Sequence, residues 1–314
     1  MTINNIERDF IKRPCIIGTR GSPLALSQAN ETLDRLSKAH NLPKKAFQIK
    51  IIKTSGDSIL NMPLSKIGGK GLFTKEIEDK LLSMEIDIAV HSMKDVPTIL
   101  PDGLEMSTYL PREDERDSFI SKKFKNIEDL PLNSVVGTSS LRRKAQLLNL
   151  RPDLKIVDFR GNVQSRLKKI EMGKVDATFL ACAGLKRLGL FDFLNPINID
   201  LMLPAVAQGA IGIENRITDN DIKKFLQPIN HKNTETQILI ERDFLNELEG
   251  SCQTPIGGFV KLKNDKVILH GEIIKKDGSK KISNIWEENK NNIYNIGKIA
   301  GKELKEKGGE GFFD

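Results

Sequence analysis

The sequence contains few of the residues that build disulfide frameworks, metal sites and base-stacking surfaces. It has three cysteines without CxxC spacing and four scattered histidines, which argues against a disulfide framework, a zinc site or any other metal site. Aromatic residues make up only 5% of the chain, and no helix-turn-helix, RNA-recognition or zinc-finger pattern is present. We therefore expect no metal and no nucleic acid partner.

Long apolar runs are also missing. No stretch approaches the roughly 18 residues that span a bilayer, and residues 1–10 lack the apolar run of a signal peptide. We therefore expect a cytoplasmic protein without a membrane partner. A length of 314 residues, with 39% hydrophobic residues, predicts two or three domains of about 100 to 150 residues each.

The net charge of +7 is unevenly distributed along the chain. Residues 232–314 contain 14 basic and 14 acidic residues, so the whole excess lies in residues 1–231. A basic excess attracts nucleic acid, anionic membranes or acidic small molecules. Because aromatic residues are scarce, a polyanionic small molecule fits best.

The first strand and helix can be read from local signals. Residues 15–18 have the composition of a short buried strand, Ser22 is a good helix N-cap, and Pro23 suits the first helical position. Apolar residues then recur at helical spacing, at Leu26, Ala29, Leu33 and Leu36. The pattern predicts a strand that leads directly into a helix.

The same construction returns later in the chain. Residues 134–141 repeat the strand-to-helix pattern, and Gly137-Thr138 corresponds to Gly18-Thr19. The strand patterns at residues 87–90 and 176–179 also resemble each other. We predict two similar α/β domains in tandem.

Charged and proline-containing segments indicate the boundaries between the domains. The charged residues 111–117 fit a linker between the two domains, and residues 196–204 fit a return crossing. Residues 209–214 read as a strand that rejoins the first sheet. From residue 232 onward, a helix over 236–248, alternating strands such as 266–272 and a last helix over 293–307 predict a small α+β domain.

The residues after one strand pattern are suited to catalysis. A buried-strand pattern over residues 86–90 runs into Lys94 and Asp95, where ligands of open α/β sheets bind. An acid held there could protonate a leaving group and stabilise the cation that remains. A solvated pair opening a loop is the simpler reading of such a dipeptide, and Lys94 also invites the reading of a Schiff-base amine.

Two other motifs have competing readings. Cys252 lies in a polar, Gly-flanked loop over residues 249–257 that could present a thiolate, whereas Cys15 and Cys182 lie in strand-like and small-residue contexts typical of a core. Residues 68–71 superficially suggest a phosphate loop but lack the GxxxxGK[ST] pattern, so nucleotide binding is rejected.

Segments along nearly the whole chain resemble one family, in that family's order. The string His91-Ser-Met-Lys-Asp-Val-Pro97 is similar to the active-site segment of the porphobilinogen deaminase (hydroxymethylbilane synthase) family. Further matching segments are residues 18–26, 66–73, 136–143, 160–162, 183–187, 203–209 and 250–257. The resemblance implies an α/β fold with two type II periplasmic-binding-protein-like domains around a cleft, plus a small C-terminal α+β domain. The expected domains are residues 14–110 with 209–230, residues 114–204, and residues 232–314.

The resemblance also implies an activity. A transferase of tetrapyrrole and heme biosynthesis would deaminate four porphobilinogen molecules, join them head to tail onto a covalently attached dipyrromethane cofactor, one per chain, and release hydroxymethylbilane. It would act as a monomer and pass its product to uroporphyrinogen-III synthase.

The same resemblance assigns roles to individual residues. Asp95 would be catalytic, and Cys252 would carry the cofactor through a thioether. Cofactor binding would fall to Lys94, Ser140, Arg142, Arg143 and Arg166. Substrate binding would fall to Arg20, Ser22, Arg160, Arg166 and Arg187, because bidentate arginines and helix N-termini bind carboxylates. Lys66, Lys70 and Phe73 would belong to a mobile lid loop.

Two other functions compete with this interpretation. A non-enzymatic anion-binding protein of periplasmic-binding-protein fold would share the fold but leaves the Cys252 loop unexplained, and neither a signal peptide nor a DNA-binding module is apparent. An RNA-binding basic protein is less consistent with the composition.

Overall fold

The computed structural model describes residues 10, 12–58, 71–251, 254–290, 293 and 295–313. It divides into two compact units. Unit 1 comprises Met1–Leu60, Gly69–Arg112 and Ala210–Glu235, and unit 2 comprises Asn61–Gly68, Glu113–Gly209 and Thr236–Asp314. The division at Gly209 lies beyond the predicted return crossing at residues 196–204.

Unit 1 is built on a five-stranded sheet in the order β2-β1-β3-β9-β4. Strands β1 and β3 run parallel to each other, β1 runs parallel to β2, and β9 is antiparallel to β3 and β4. The strands are β1 (Cys15–Thr19), β2 (Phe47–Ile51), β3 (Ile88–Ser92), β4 (Leu104–Tyr109) and β9 (Ile211–Arg216). Residues 209–214 therefore do lead into a strand that rejoins the first sheet, as predicted.

The helices of unit 1 cover this sheet. They are α1 (Pro23–His40), the short α2 (Ser55–Ser58), α3 (Lys75–Leu82) and α7 (Asn220–Leu226). Ser22 caps α1 by accepting a hydrogen bond from the Ala25 N–H at 3.3 Å, and Pro23 occupies the first turn, as predicted. A buried cluster that includes Ile17, Leu36 and Phe225 joins α1 and α7 to the sheet.

Unit 2 contains a four-stranded sheet in the order β5-β8-β6-β7. Its strands are β5 (Asp117–Ile120), β6 (Val135–Gly137), β7 (Lys155–Val157) and β8 (Ala177–Ala181). Its helices are α4 (Leu141–Leu150), α5 (Val163–Glu171) and α6 (Cys182–Arg187). Strand β6 is parallel to β7 and β8, whereas β5 is antiparallel to β8.

The two larger sheets repeat one another down to single hydrogen bonds. The order β9-β3-β1-β2 in unit 1 matches β5-β8-β6-β7 in unit 2. The carboxylate of Asp87, before β3, accepts a hydrogen bond from the Ile16 N–H at 2.8 Å, and Asp176, before β8, accepts one from the Val135 N–H at 2.8 Å. The tandem α/β construction predicted from the sequence is therefore present.

The rest of unit 2 is a three-stranded antiparallel sheet, β10-β11-β12, with two long helices. The elements are α8 (Lys232–Glu247), which spans the boundary between the units, β10 (Ile256–Lys263), β11 (Lys266–Ile274), β12 (Lys281–Asn289) and α9 (Ile296–Gly308). Helix α8 begins before the predicted residue 236, and β11 and α9 lie close to their predicted positions. The three-domain boundaries themselves stay a prediction.

Candidate active site

Asp95 lies in a single 3-10 turn, Met93–Asp95, directly after β3. The turn is closed by the Val96 N–H, which donates to the Met93 carbonyl at 3.2 Å, and the Met93 N–H donates to the Ala210 carbonyl at 3.1 Å. Met93 is fully buried, whereas Lys94 and Asp95 are half-buried. The structure therefore places Asp95 beyond the carboxyl end of a strand, as the sequence predicts, with a backbone held by buried contacts.

Arg20 follows β1 and is held by two kinds of contact. Its Nε donates to Asp57 Oδ2 at 3.2 Å, and its guanidinium carbon lies 4.2 Å from the centroid of the Phe73 ring. Burial opposes ionisation of Asp57, but hydrogen bonds from Arg20 and Thr54 outweigh it and lower the pKa of that carboxyl. Phe73 is thus brought to Arg20, while Lys66 and Lys70 lie outside the described residues.

Arg142 and Arg143 lie in the first turn of α4 and share one carboxylate. Asp117, the first residue of β5, accepts from Arg142 Nη2 at 2.7 Å and from Arg143 Nη2 at 2.6 Å. Arg142 Nη1 also donates to the Leu203 carbonyl, and Arg143 Nη1 to the Phe179 carbonyl. The three side chains are almost wholly buried. The boundary between the units, at Arg112–Glu113, falls within the predicted linker over residues 111–117, but Asp117 itself lies in β5.

The electrostatics of this cluster are dominated by burial and by the two cations. Burial works against ionisation of Asp117, but Arg142 and Arg143 overcome it and hold the pKa of that carboxyl well below its usual range. Burial also lowers the pKa of Arg142. Two guanidinium groups against one carboxylate leave a local excess of one positive charge, which suits an anionic ligand.

The remaining predicted arginines lie at the ends of other elements of unit 2. Arg166 Nε donates to the Gly161 carbonyl at 2.9 Å, and Arg187 Nη2 donates to the Gly209 carbonyl at 3.1 Å. Arg160 precedes α5, and all three are half-buried. Ser140 caps α4 by accepting from the Arg143 N–H at 3.4 Å, so Ser140 and Arg143 meet at one helix terminus.

Two sequence models of one family match the chain. The first, described as "Porphobilinogen deaminase, dipyromethane cofactor binding domain", matches residues 15–224, and the second, "Porphobilinogen deaminase, C-terminal domain", matches residues 236–306. Porphobilinogen deaminase of Paracoccus denitrificans is 57% identical over 273 residues, which cover 87% of this chain and 87% of that protein. The chain belongs to the porphobilinogen deaminase family.

A further relative and a solved structure are also similar to the chain. The chloroplastic porphobilinogen deaminase of Oryza sativa subsp. japonica is 50% identical over 308 residues, covering 95% of this chain and 85% of that protein. The VFT2 domain of Bordetella pertussis BvgS is 16% identical, covers 73% of this chain and 92% of that domain, and has a TM-score of 0.41. The predicted α/β fold class is confirmed, and membership of a family of transferases sets aside the non-enzymatic alternative.

The family's dipyrromethane cofactor fits groups that the described part of unit 2 leaves unsatisfied. Arg142 Nε and Arg143 Nε are buried and have no hydrogen-bond partner among the described residues. Such donors are suited to the carboxylate side chains of a dipyrromethane. The residues of this porphobilinogen deaminase family member therefore match the chemistry of its cofactor.

The described cysteines are chemically unsuited to carry that cofactor. Burial raises the pKa of the Cys15 thiol well above its ordinary value and raises the pKa of the Cys182 thiol to about 12. A thiol must ionise to act as a nucleophile, so neither side chain is a good attachment point. Cys252, the third cysteine of the sequence, lies outside the described residues.

Sequence reasoning missed the polar residues that surround the arginine pair. Gln146 Nε2 donates to the Leu203 carbonyl at 2.9 Å and also to Glu272 Oε1, and burial raises the pKa of Glu272. Gly257, on β10, lies so close to the Glu272 side chain that a Cβ added at Gly257 would be 2.9 Å from Glu272 Oε1. The only available signal was a glutamate on an apolar strand, which is uncommon without a partner.

Proposed function

We propose that the protein deaminates porphobilinogen, joins four molecules head to tail onto a dipyrromethane cofactor and releases hydroxymethylbilane. The observation that carries the proposal is the position of Asp95, half-buried in a turn at the carboxyl end of β3. Family membership supports it over residues 15–224 and 236–306. The bound dipyrromethane supplies the primer onto which the pyrrole units are joined.

Asp95 would perform the acid and electrostatic steps. Its carboxyl group would give a proton to the aminomethyl arm of porphobilinogen as the amine leaves, and its carboxylate would then offset the positive charge on the pyrrole. The Met93 contacts support this role, because a buried backbone anchor holds the carboxyl group in a fixed place. One carboxylate can serve each cycle as successive substrate molecules reach it.

The cofactor-binding residues would be Lys94, Ser140, Arg142, Arg143 and Arg166, with Cys252 as the thioether attachment. The unsatisfied Nε groups of Arg142 and Arg143 support this assignment. Substrate carboxylates would be bound by Arg20, Ser22, Arg160, Arg166 and Arg187. The lid role of Lys66, Lys70 and Phe73 is supported only at Phe73, which contacts Arg20.

The proposal also covers the oligomeric state, the cellular compartment and the enzyme that uses the product. We infer a monomeric enzyme of the cytoplasm whose product is taken up by uroporphyrinogen-III synthase. Cys15 and Cys182 are free, buried thiols, which is consistent with a reducing compartment. In the described part of the chain, no helix is both long and apolar enough to cross a bilayer.

The attachment of the cofactor is tested by replacing its proposed carrier. Cys252→Ser should give a folded protein that lacks the dipyrromethane adduct and does not turn over porphobilinogen, because a serine hydroxyl is a poor substitute for a thiolate nucleophile. Intact mass spectrometry and porphobilinogen consumption measure the two effects. Cys182→Ser is the matched control and should keep the adduct. An adduct of unchanged mass on Cys252→Ser would refute the attachment.

A further inference from the structure

A buried imidazole–carboxylate pair joins β3 and β9 within unit 1, and its His91 lies two residues before the Asp95 turn in the sequence. His91, near the end of β3, places Nε2 at 3.0 Å from Glu214 Oε2 on β9, and the two side chains are 4% and 0% exposed. In the antiparallel register, Glu214 lies opposite Ala89 and His91 opposite Gly212, so the pair are diagonal neighbours on one face of the sheet. The contact therefore joins β3 to β9 immediately before the proposed catalytic residue.

Glu78 on helix α3 adds a second carboxyl group to this pair. It is only 5% exposed. Burial raises the pKa of Glu78, the negative charge of Glu214 raises it further, and Thr74 and His91 oppose the shift. Asp79, on the same helix, also raises it. Glu78 Oε1 and Glu214 Oε1 are buried and have no hydrogen-bond partner in the described ranges.

The environment of Glu78 disfavours its ionised form. Burial and the negative charge of Glu214 both act against a charged Glu78 carboxylate, and this raises the pKa of that group. Glu214 meets His91 Nε2 through its other oxygen, Oε2, and this hydrogen bond orients the imidazole.

Helix α3 connects this cluster to the Arg20 side of unit 1. At its N-terminal end, Glu76 accepts a hydrogen bond from the Ser55 N–H at 2.8 Å, and Phe73, just before the helix, contacts the Arg20 guanidinium. At its C-terminal end, Arg216 Nη1 on β9 donates to the Leu81 carbonyl at 2.7 Å. The segment from Phe73 to the end of α3 therefore contacts both the proposed substrate-binding Arg20 and β9, the neighbour of β3.

We propose that Glu78, Glu214 and His91 are positioning residues that lock α3 onto β3 and β9 and thereby set the position of Asp95 for the reaction. The proposal rests on the proposed function of Asp95. None of the three side chains needs to touch substrate. The Asp95 turn follows β3 directly, so a shift of β3 would also shift Asp95. A change in the cluster should therefore alter the rate of the chemical step more than substrate binding.

Ionisation of Glu78 should make the contacts among Glu78, Glu214 and His91 sensitive to pH. Because its folded-state pKa is raised above the ordinary value of 4.5, the group is protonated in the folded protein below that raised pKa. As the pH rises through it, Glu78 ionises and places a second negative charge beside Glu214. The wild-type turnover number and the thermal stability should therefore fall as the pH rises from the ordinary value of 4.5 through the raised pKa.

The test compares three variants as holoenzyme whose adduct has been verified by mass. Glu214→Gln removes the carboxylate that pairs with His91 and should lower kcat by about 10- to 100-fold, the scale of a small misplacement of a catalytic group, while KM changes little. Glu78→Gln cannot ionise and should therefore remove the decline in kcat that accompanies ionisation of Glu78. Glu85→Gln, an exposed carboxylate after α3, is the matched control and should behave as wild type.

Three results would decide the proposal. A lowered kcat in Glu214→Gln, together with loss of the decline at rising pH in Glu78→Gln, would support it. Wild-type kcat and pH dependence in Glu214→Gln would overturn it, and so would a pH profile in Glu78→Gln that is unchanged even though the variant is folded. If Glu214→Gln does not fold, the Glu78→Gln profile alone decides. Absence of porphobilinogen consumption by the wild-type holoenzyme would instead refute the proposed function.

Discussion

Asp117 shows how one residue can determine the placement of two others. Its carboxylate binds Arg142 and Arg143 on one side of the sheet, and Gln208 Nε2 donates to it at 2.9 Å. The orientation of both guanidinium groups is therefore set before any ligand binds. A preorganised pair of this kind loses less conformational freedom when it binds a carboxylate than two mobile side chains would.

Replacing Asp117 should destabilise the fold strongly. Asp117→Asn leaves two buried guanidinium groups without a counter-charge, which should cost about 3 to 5 kcal/mol of unfolding free energy. The folded-state pKa of Asp117 is lowered below its ordinary value of 3.8. The carboxylate therefore contributes stability above that ordinary pKa, and the contribution is lost as the pH falls toward the folded-state pKa.

Denaturant unfolding at neutral and acidic pH measures this effect. The difference between wild type and Asp117→Asn should be largest at neutral pH and should shrink in acid. Asp153→Asn is the matched control, because Asp153 forms an ion pair with Arg151 at the surface. Equal stability of Asp117→Asn and wild type at neutral pH would contradict the account of the cluster.

The role of Asp117 could not be read from the sequence, because its partners are distant along the chain. Residues 111–117 are strongly charged, and charged runs usually lie in solvent-exposed segments. The partners of Asp117 come from α4, and only the folded sheet brings β5 beside that helix. The same holds for the contact between Gln146 and Glu272, whereas the Asp95 turn was predictable because a strand pattern runs directly into it.

At the scale of secondary-structure elements, local sequence signals predicted well where helices and strands begin and which of the two each segment forms. Ser22 and Ser140 cap the helices that they precede in the sequence, because N-capping depends on residues within one turn. The tandem repeat was visible because Gly18-Thr19 and Gly137-Thr138 occupy corresponding positions at the carboxyl ends of β1 and β6. The start of α8 was misplaced, since the polar residues at its beginning lack the apolar spacing that marks the rest of the helix.

The close packing of α9 against α8 leads to a testable prediction. Gly297 lies so close to α8 that a Cβ there would come within 2.3 Å of the Ile240 carbonyl oxygen. Gly297→Ala should therefore push the helices apart and destabilise the protein by about 1 to 3 kcal/mol. Thermal unfolding measures the shift. Ile299→Ala, at an exposed position of α9, should change stability by less than about 0.5 kcal/mol, and a similarly small effect at Gly297 would rule out a tight crossing.

At the scale of the whole molecule, the proposed tasks fall to different parts of the chain. Unit 1 carries Asp95 and Arg20, and unit 2 carries the buried arginine pair together with the sheet that follows Cys252 in the sequence. Family models match residues 15–224 and 236–306, which include parts of both units. The central claim is that Asp95 acts in the chemical step and takes no part in attachment of the cofactor.

Single-turnover kinetics on Asp95→Asn holoenzyme tests that claim most directly. The variant is prepared with the dipyrromethane adduct verified by intact mass, since a protein that never acquires the cofactor would mimic a catalytic defect. Loss of one preorganised electrostatic group should slow deamination by roughly 100- to 1,000-fold. Asp95→Glu should retain part of the activity, because the charge survives while its position shifts. Deamination by Asp95→Asn holoenzyme at the wild-type rate would contradict the account.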